Sequence, residues 1–253
     1  MLYYIIFFFS IFMIGIFLGS FLNVCIYRLP KEESVIKKPS HCLKCGTKIK
    51  MVDLFPIFSW IKLKGKCRMC HEKFSIRYPL VELLNGVLWI FSFLIFGITI
   101  KALIISLLFS TLVLIFFMDF DTQLISIGVV NFIGILAILN FIFVKDVSLT
   151  GCLIGALVVS LPLLLLNVLS GGRAMGFGDV YLMAAAGLFL GIKGVAVAMF
   201  LGLVLGSIGG LINKYLTDSS RFAFGPYLAL GIAVSSIWGE QIFNAYLHFA
   251  RLG

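Results

Sequence analysis

The side chains in this 253-residue chain whose type and spacing could do chemistry are three aspartates and two pairs of cysteines. Asp119 and Asp121 lie in Phe117-Met118-Asp119-Phe120-Asp121, directly after an apolar run; Asp179 closes Gly176-Phe177-Gly178-Asp179, directly before Val180-Tyr181-Leu182-Met183. Ionisable groups at membrane depth are costly to desolvate, so acids set in apolar sequence are functional candidates. As structure alone, Asp179 reads as a helix N-cap and the others as interfacial punctuation. As chemistry, Gly176 and Gly178 let a substrate backbone approach the acid or permit unusual dihedrals beside it, because glycine has no Cβ. Two carboxylates confined in one site hold a single proton between them. One then acts as general base on a water and the other as general acid toward a scissile carbonyl oxygen. That is aspartic proteolysis, with Asp119 and Asp179 as the pair and Asp121 as a secondary acid. The apolar spans contain no histidine, no Gly-x-Ser-x-Gly and no His-Glu-x-x-His to rival it.

Cys42-Leu43-Lys44-Cys45 and Cys67-Arg68-Met69-Cys70 are CxxC knuckles separated by 21 residues, just above the usual spacing of about 15–20. Each knuckle presents two thiolates to one tetrahedral ion, and two knuckles complete a closed four-sulfur zinc site. No coordination position is left open, so the metal is expected to hold a loop too small to fold on its own core. Disulfides are disfavoured if the loop faces the reducing side, and a redox role lacks an α/β surround. His41 and His71 adjoin the knuckles, but their backbone position works against ligation. Cys25 and Cys152 lie in apolar runs and read as buried small hydrophobes.

Membrane helices must position these groups. The chain is 61% hydrophobic and only 12% charged, with a mean hydropathy of +1.13. That composition excludes disordered and soluble-enzyme classes and predicts a polytopic membrane protein. The net charge of +9 then concerns topology and not nucleic acid. Charge-free intervals place eight spans at 1–27, 83–100, 102–118, 122–144, 147–172, 180–192, 194–213 and 222–239. The sixth is short unless its helix takes in Asp179. The first has no basic n-region or clear cleavage site and reads as a retained helix. The expected fold is therefore all-α, with about eight transmembrane helices and a cytosolic zinc-binding loop between helices 1 and 2. Its organisation is a first helix at 1–27, the four-cysteine loop at 28–79, and a transmembrane peptidase region of about seven helices at 80–253.

Residues 28–78 carry 13 of the 20 Lys and Arg. Alternation brings Arg173, Lys214 and Arg221 to the same side, leaving only Lys101, Lys145, Lys193 and Arg251 opposite. The positive-inside rule thus puts the loop in the cytosol and both termini outside. The same parity brings Asp119 and Asp179 to the cytosolic face.

Read in order along the chain, these motifs resemble the bacterial prepilin peptidases, the bifunctional leader peptidases and N-methyltransferases of type IV pili, competence pili and type II secretion. The set comprises Gly19-Ser20-Phe21-Leu22-Asn23-Val24 with Arg28-Leu29-Pro30, both knuckles with Gly65-Lys66-Cys67-Arg68, Arg77-Tyr78-Pro79-Leu80-Val81-Glu82, the Asp119 segment, the GxGD at 176–179, and Phe224-Gly225-Pro226-Tyr227. It spans nearly the whole chain; GxGD alone is shared with presenilin-type proteases.

The resemblance implies Asp119 and Asp179 as catalytic aspartates. It also implies a type IV prepilin or pseudopilin precursor as substrate, cut after a glycine at the cytosolic boundary to release a short basic leader. Methylation of the new amino terminus with S-adenosylmethionine is implied for the cytosolic loop, where Gly65 matches a glycine tied to that activity. Read from its neighbours, Gly65 is a turn before a knuckle, and no Rossmann-like glycine-rich turn is present. Where the family usually has Pro after the Asp119 segment, Ser126 stands here, altering how the next helix begins. Glu82 and Arg173 could tune the acids, pair with one another, or snorkel to the interface. Phe224-Gly225-Pro226-Tyr227 reads as a helix start with an interfacial Tyr. The implied setting is a bacterial cytoplasmic membrane, with membrane lipids as partners and no nucleic acid. Two other classes remain open: a transporter or proton pathway using Asp119 and Asp179 as ion-binding groups, and a membrane-anchored zinc scaffold. The first is disfavoured because both acids share one face and no inverted repeat is visible.

Overall fold

Apolar runs that must satisfy their own backbone hydrogen bonds in lipid become helices, and the computed structural model of the chain bears this out. It describes residues 2–173, 175–217 and 222–252, among which there is no strand. Arg221 and the side chain of Arg251, both used in the charge count, lie outside the described residues. The helices are α1 Leu2–Arg28, α2 Phe58–Lys62, α3 Arg77–Phe96, α4 Ile100–Thr122, α5 Ile127–Phe143, α6 Leu149–Val158, α7 Ser160–Leu169, α8 Phe177–Thr217 and α9 Gly225–Leu252. The protein is thus an all-α, multi-pass membrane protein. Among the described residues, five stretches are long and apolar enough to cross a bilayer: Leu2–Lys31, Arg77–Phe96, Ile100–Thr122, Leu149–Leu169 and Phe177–Tyr215.

α8 contains two of the expected spans. It breaks at Gly191, whose φ of 69° and ψ of −173° no helix accommodates. A Cβ there would also come within 2.6 Å of the Val147 side chain, so conformation and space both require glycine. The short sixth span is resolved at its other end: the helix starts at Phe177 and takes in Asp179.

The chain divides into two compact units, with the boundary inside α4 between Leu114 and Ile115. In the first, α1 packs on α3 along a glycine seam. A Cβ at Gly15 would meet the Gly86 backbone at 2.8 Å, and one at Gly19 the Glu82 backbone at 2.7 Å. Such close approach is what drives helix association where lipid is as apolar as leucine. Buried Asn85 ties the seam: its amide donates to the Gly15 carbonyl (2.7 Å) and its oxygen accepts from Ser110 (2.8 Å), which also accepts from Trp89 Nε1 (2.9 Å).

In the second unit α5, α6, α7 and α9 all pack on α8. A tight backbone seam crosses Gly155 and Gly187, where a Cβ on Gly187 would stand 2.1 Å from the Gly155 carbonyl oxygen. Backbone cannot swing aside as a side chain can, so Gly187→Ala should destabilise at the upper end of roughly 1–3 kcal/mol. Thermal unfolding in detergent checks this, with Gly134→Ala as control. A Cβ at Gly134 meets nothing within 4 Å, so that change should be neutral or stabilise by up to about 1 kcal/mol.

Candidate functional site

Asp119 sits in the last turn of α4, ahead of Gln123, whose N–H donates to the Asp119 carbonyl (2.8 Å) and whose φ of 55° ends the helix. A carboxylate at a helix C-terminus opposes the helix dipole, so this placement does not serve the stability of α4. The compensation comes from elsewhere: α9 begins at Gly225, and the Gly225 N–H donates to Asp119 Oδ2 at 2.9 Å. The first N–H groups of a helix have no partner within it and form a ready site for an anion. Asp179 lies in the first turn of α8, with its own N–H donating to the Gly176 carbonyl (3.2 Å). It is therefore inside the helix and not its N-cap, because the chain turns helical three residues earlier than the charge-free interval suggested.

Both acids are buried, Asp119 at 5% and Asp179 at 8% exposure, and Asp119 stands close enough for its charge to act on Asp179. Residues at i and i+2 of a helix face different ways, and Asp121 is accordingly exposed. Gly176 and Gly178 do not use the left-handed region; their contribution is space. A Cβ on Gly178 would press on Ile125 at 3.0 Å, and one on Gly176 would lie 3.5 Å from Asp179 Oδ2. Gly178 thus lets the segment leaving the Asp119 helix dock against the start of α8. Ser126 begins α5 with a φ of −69°, the value a proline ring imposes, so the helix starts as a proline would start it. Arg173 is exposed, with Nε donating to the Ser170 carbonyl.

Gly225 is the site residue that sequence reasoning missed; the motif containing it was visible, but not its contact. A Cβ there would stand 2.6 Å from Asp119 Oδ2. Gly225→Ala should therefore displace the carboxylate while leaving the fold intact, since the obstructing atom ends a movable side chain. Misplacement on this scale costs about 10²-fold in rate, measurable as turnover of a cleavable precursor peptide.

The second cluster lies in the first unit. The Sγ atoms of Cys42, Cys45, Cys67 and Cys70 are all within 4.8 Å of one another, and those of Cys42 and Cys70 are 3.7 Å apart. Sulfurs about 2.3 Å from a tetrahedral ion are separated by about 3.8 Å, so the four can hold one metal. The knuckles are alike in build. In each, an N–H four residues on donates to the first cysteine's carbonyl, Gly46 to Cys42 (2.9 Å) and His71 to Cys67 (3.1 Å). Both donors have positive φ, 69° and 56°. The N–H groups of Cys70 and Met69 lower the Cys67 thiol below its usual range and Thr47 holds Cys45 at about 6, which favours metal-binding thiolate, whereas Cys70, against the lowering effect of the Glu72 N–H, is pushed up to about 12 by desolvation and the neighbouring sulfurs. Lys44 pairs with Glu72 across the knuckles, and Arg68 with Asp53.

A cavity of about 720 Å³ opens beside the knuckles, lined among others by Asn23, Trp60, Lys66, Tyr78 and Glu82. Gly65 supports one of its walls: its φ is +65°, and a Cβ would strike the Trp60 ring at 2.7 Å. Glu82 is 7% exposed and is held by the Ser20 hydroxyl and the Ile57 N–H.

Two family profiles match the chain: the Bacterial Peptidase A24 N-terminal domain at residues 13–96 and the Type IV leader peptidase family at 106–211. Among curated relatives, a prepilin leader peptidase/N-methyltransferase of Legionella pneumophila is 31% identical over 270 residues, covering 93% of this chain and 94% of its own length. Proteins of the same description from Stutzerimonas stutzeri and Neisseria gonorrhoeae are 32% and 33% identical, covering 94% and 89% of this chain and 93% and 90% of their own. No solved structure matches.

Proposed function

The chain belongs to the type IV leader peptidase family, and from that premise we propose that Asp119 and Asp179 cleave the leader of a membrane-inserted prepilin or pseudopilin precursor. The protein is a prepilin peptidase with N-methyltransferase activity, and it resides in the cytoplasmic membrane. The observation that carries the catalytic assignment is the burial of two carboxylates within electrostatic reach of one another in a single unit. In this mechanism one carboxylate takes a proton from water while the other gives one to the carbonyl oxygen of the scissile bond, and the roles reverse as the amine departs. The Gly225 N–H orients Asp119, and Asp121 has no direct part. The cut falls after glycine on the cytosolic side; the 13 basic residues within 28–78 support a cytosolic loop by the positive-inside rule.

The four cysteines hold zinc as a structural ion; their sulfur-only set and closed geometry suit no open-coordination chemistry. S-adenosylmethionine serves as methyl donor, and the cavity beside the knuckles is its site. At about 720 Å³ it has the size of a small-molecule pocket, about 300–1,000 Å³. Trp60 and Tyr78 offer aromatic surface, and Glu82 a carboxylate with neutral partners, which suits a cationic donor. When bound, the donor supplies a methyl group to the amine freed by cleavage. Gly65 acts through Trp60, which only a residue without Cβ lets into place.

Purified protein incubated with a synthetic precursor and the donor, followed by mass spectrometry, tests the whole proposal. A leader lost after glycine together with one added methyl mass is the expected result. An intact precursor rejects the peptidase assignment, and a cleaved but unmethylated product rejects the donor site.

A further inference from the structure

We propose that residues 54–61 form a re-entrant segment whose Phe55, Phe58 and Ile61 side chains sit among the lipid acyl chains, with Glu82 as the positioning residue that makes this possible. This goes beyond the enzymatic reading and does not depend on it. α1 ends at Arg28, whose guanidinium donates to the carbonyls of Ser34 (3.2 Å), Lys38 (2.7 Å) and Pro39 (3.2 Å), so this helix end lies in the polar loop. Phe17 is eleven residues earlier along α1, about 16 Å from that end at 1.5 Å per residue, which brings it inside a hydrocarbon core of about 30 Å. Yet the Phe55 ring packs edge-on against Phe17 at 5.3 Å, and Phe58 stands 5.5 Å from Phe55. A segment 38 residues along from Phe17, within the most basic part of the chain, therefore reaches back to membrane depth.

The outward face of this segment suits lipid. Phe55, Phe58 and Ile61 are 40%, 57% and 62% exposed, continuous with exposed Phe17 and Phe21 on the same side of α1. Exposed Lys50, Lys62 and Lys64 flank it, as cations at headgroup level would. Trp60 and Ser59 belong to the opposite, cavity-lining face.

The tip of the segment is irregular. Ile57 has φ 62° and ψ −56°, and the Phe58 N–H closes a three-residue turn onto the Pro56 carbonyl at 2.6 Å. This is the rarer hand of γ-turn, unfavourable for a β-branched residue. Irregular backbone is tolerated at such depth only where protein satisfies its polar groups. Here the Ile57 N–H donates to Glu82 Oε2 at 2.7 Å. Glu82 lies five residues into α3, about 8 Å below its start. An acid that by sequence could tune the catalytic pair is on this view the built-in acceptor for a buried turn.

The test is reconstitution without substrate in phosphatidylcholine/phosphatidylglycerol vesicles whose acyl chains carry a photoactivatable diazirine, with adducts mapped by mass spectrometry. Adducts are expected on Phe55, Phe58 and Ile61 at a level comparable with Phe21, and none on Ile36, which is 88% exposed in the polar part of the loop. Glu82→Ala leaves the Ile57 amide without its acceptor and should cut labelling of 54–61 at least about five-fold, whereas Glu82→Gln, which keeps an acceptor oxygen, should restore it. Labelled Phe21 beside unlabelled 54–61 overturns the proposal. So does displacement of the label by added precursor peptide, which would assign this face to the substrate's apolar helix. Unchanged labelling in Glu82→Ala overturns the role of Glu82.

Discussion

Asp179→Asn accumulates in the membrane at wild-type level and loses about 10²–10⁴-fold in leader cleavage, the contribution of a general acid–base group. Asn is nearly isosteric with Asp, so the start of α8 keeps its shape while the exchangeable proton is lost. Asp119→Asn behaves the same way: its amide oxygen still accepts from the Gly225 N–H, which holds the side chain where the carboxylate was. Because the two acids act as a unit, the double variant is no slower than either single one. Asp121→Asn, changing an exposed residue on a different face of α4, loses much less. Precursor processing followed by mass spectrometry, with abundance read by immunoblot, decides the matter. Full processing by Asp179→Asn sinks the assignment.

Cys42→Ser with Cys45→Ser empties the metal site. Wild-type protein is expected to carry about one zinc per chain and the double variant close to none, as measured by atomic emission on purified samples. The consequence for the loop is large. Structural zinc contributes on the order of 10–16 kcal/mol of apparent binding free energy, as much as the whole stability of a typical domain, about 5–15 kcal/mol. The exposed Lys44–Glu72 and Arg68–Asp53 pairs, worth about 0–1 kcal/mol each, cannot replace it. Limited proteolysis should therefore cut residues 31–76 in the variant at rates at which wild type is resistant. Methyl transfer should be lost, because the knuckles wall the cavity. Leader cleavage should persist, because Asp119, Asp179 and Gly225 all belong to the other unit. Metal content unchanged by the double substitution would remove the site from these cysteines.

Several parts of the molecule were legible without coordinates. Hydropathy and charge-free length marked the helices, because lipid admits little else. CxxC spacing paired the knuckles because four thiolates need one cation between them; alternating topology predicts Asp119 and Asp179 at one face, an expectation that stays with the proposal. Gly225 was not legible. Its motif reads as an ordinary helix start, and its bond to Asp119 joins residues 106 positions apart. Glu82 was misleading in its own way: sequence offered it as a partner for Arg173 or a tuner of the acids, while its oxygen accepts from the amide of a turn 25 residues earlier.

What the sequence determined by itself is therefore whatever depends on local rules: which runs are apolar and helical, and which residue types stand ready for proteolysis and metal binding. What only the tertiary structure decided is which backbone groups meet those side chains. That α9 caps Asp119, that Gly178 admits Ile125, and that Ile57 descends to Glu82 all depend on helices approaching until a single Cβ would collide. Approach of that kind is set by the summed packing of whole helix faces, which no short stretch of residues encodes.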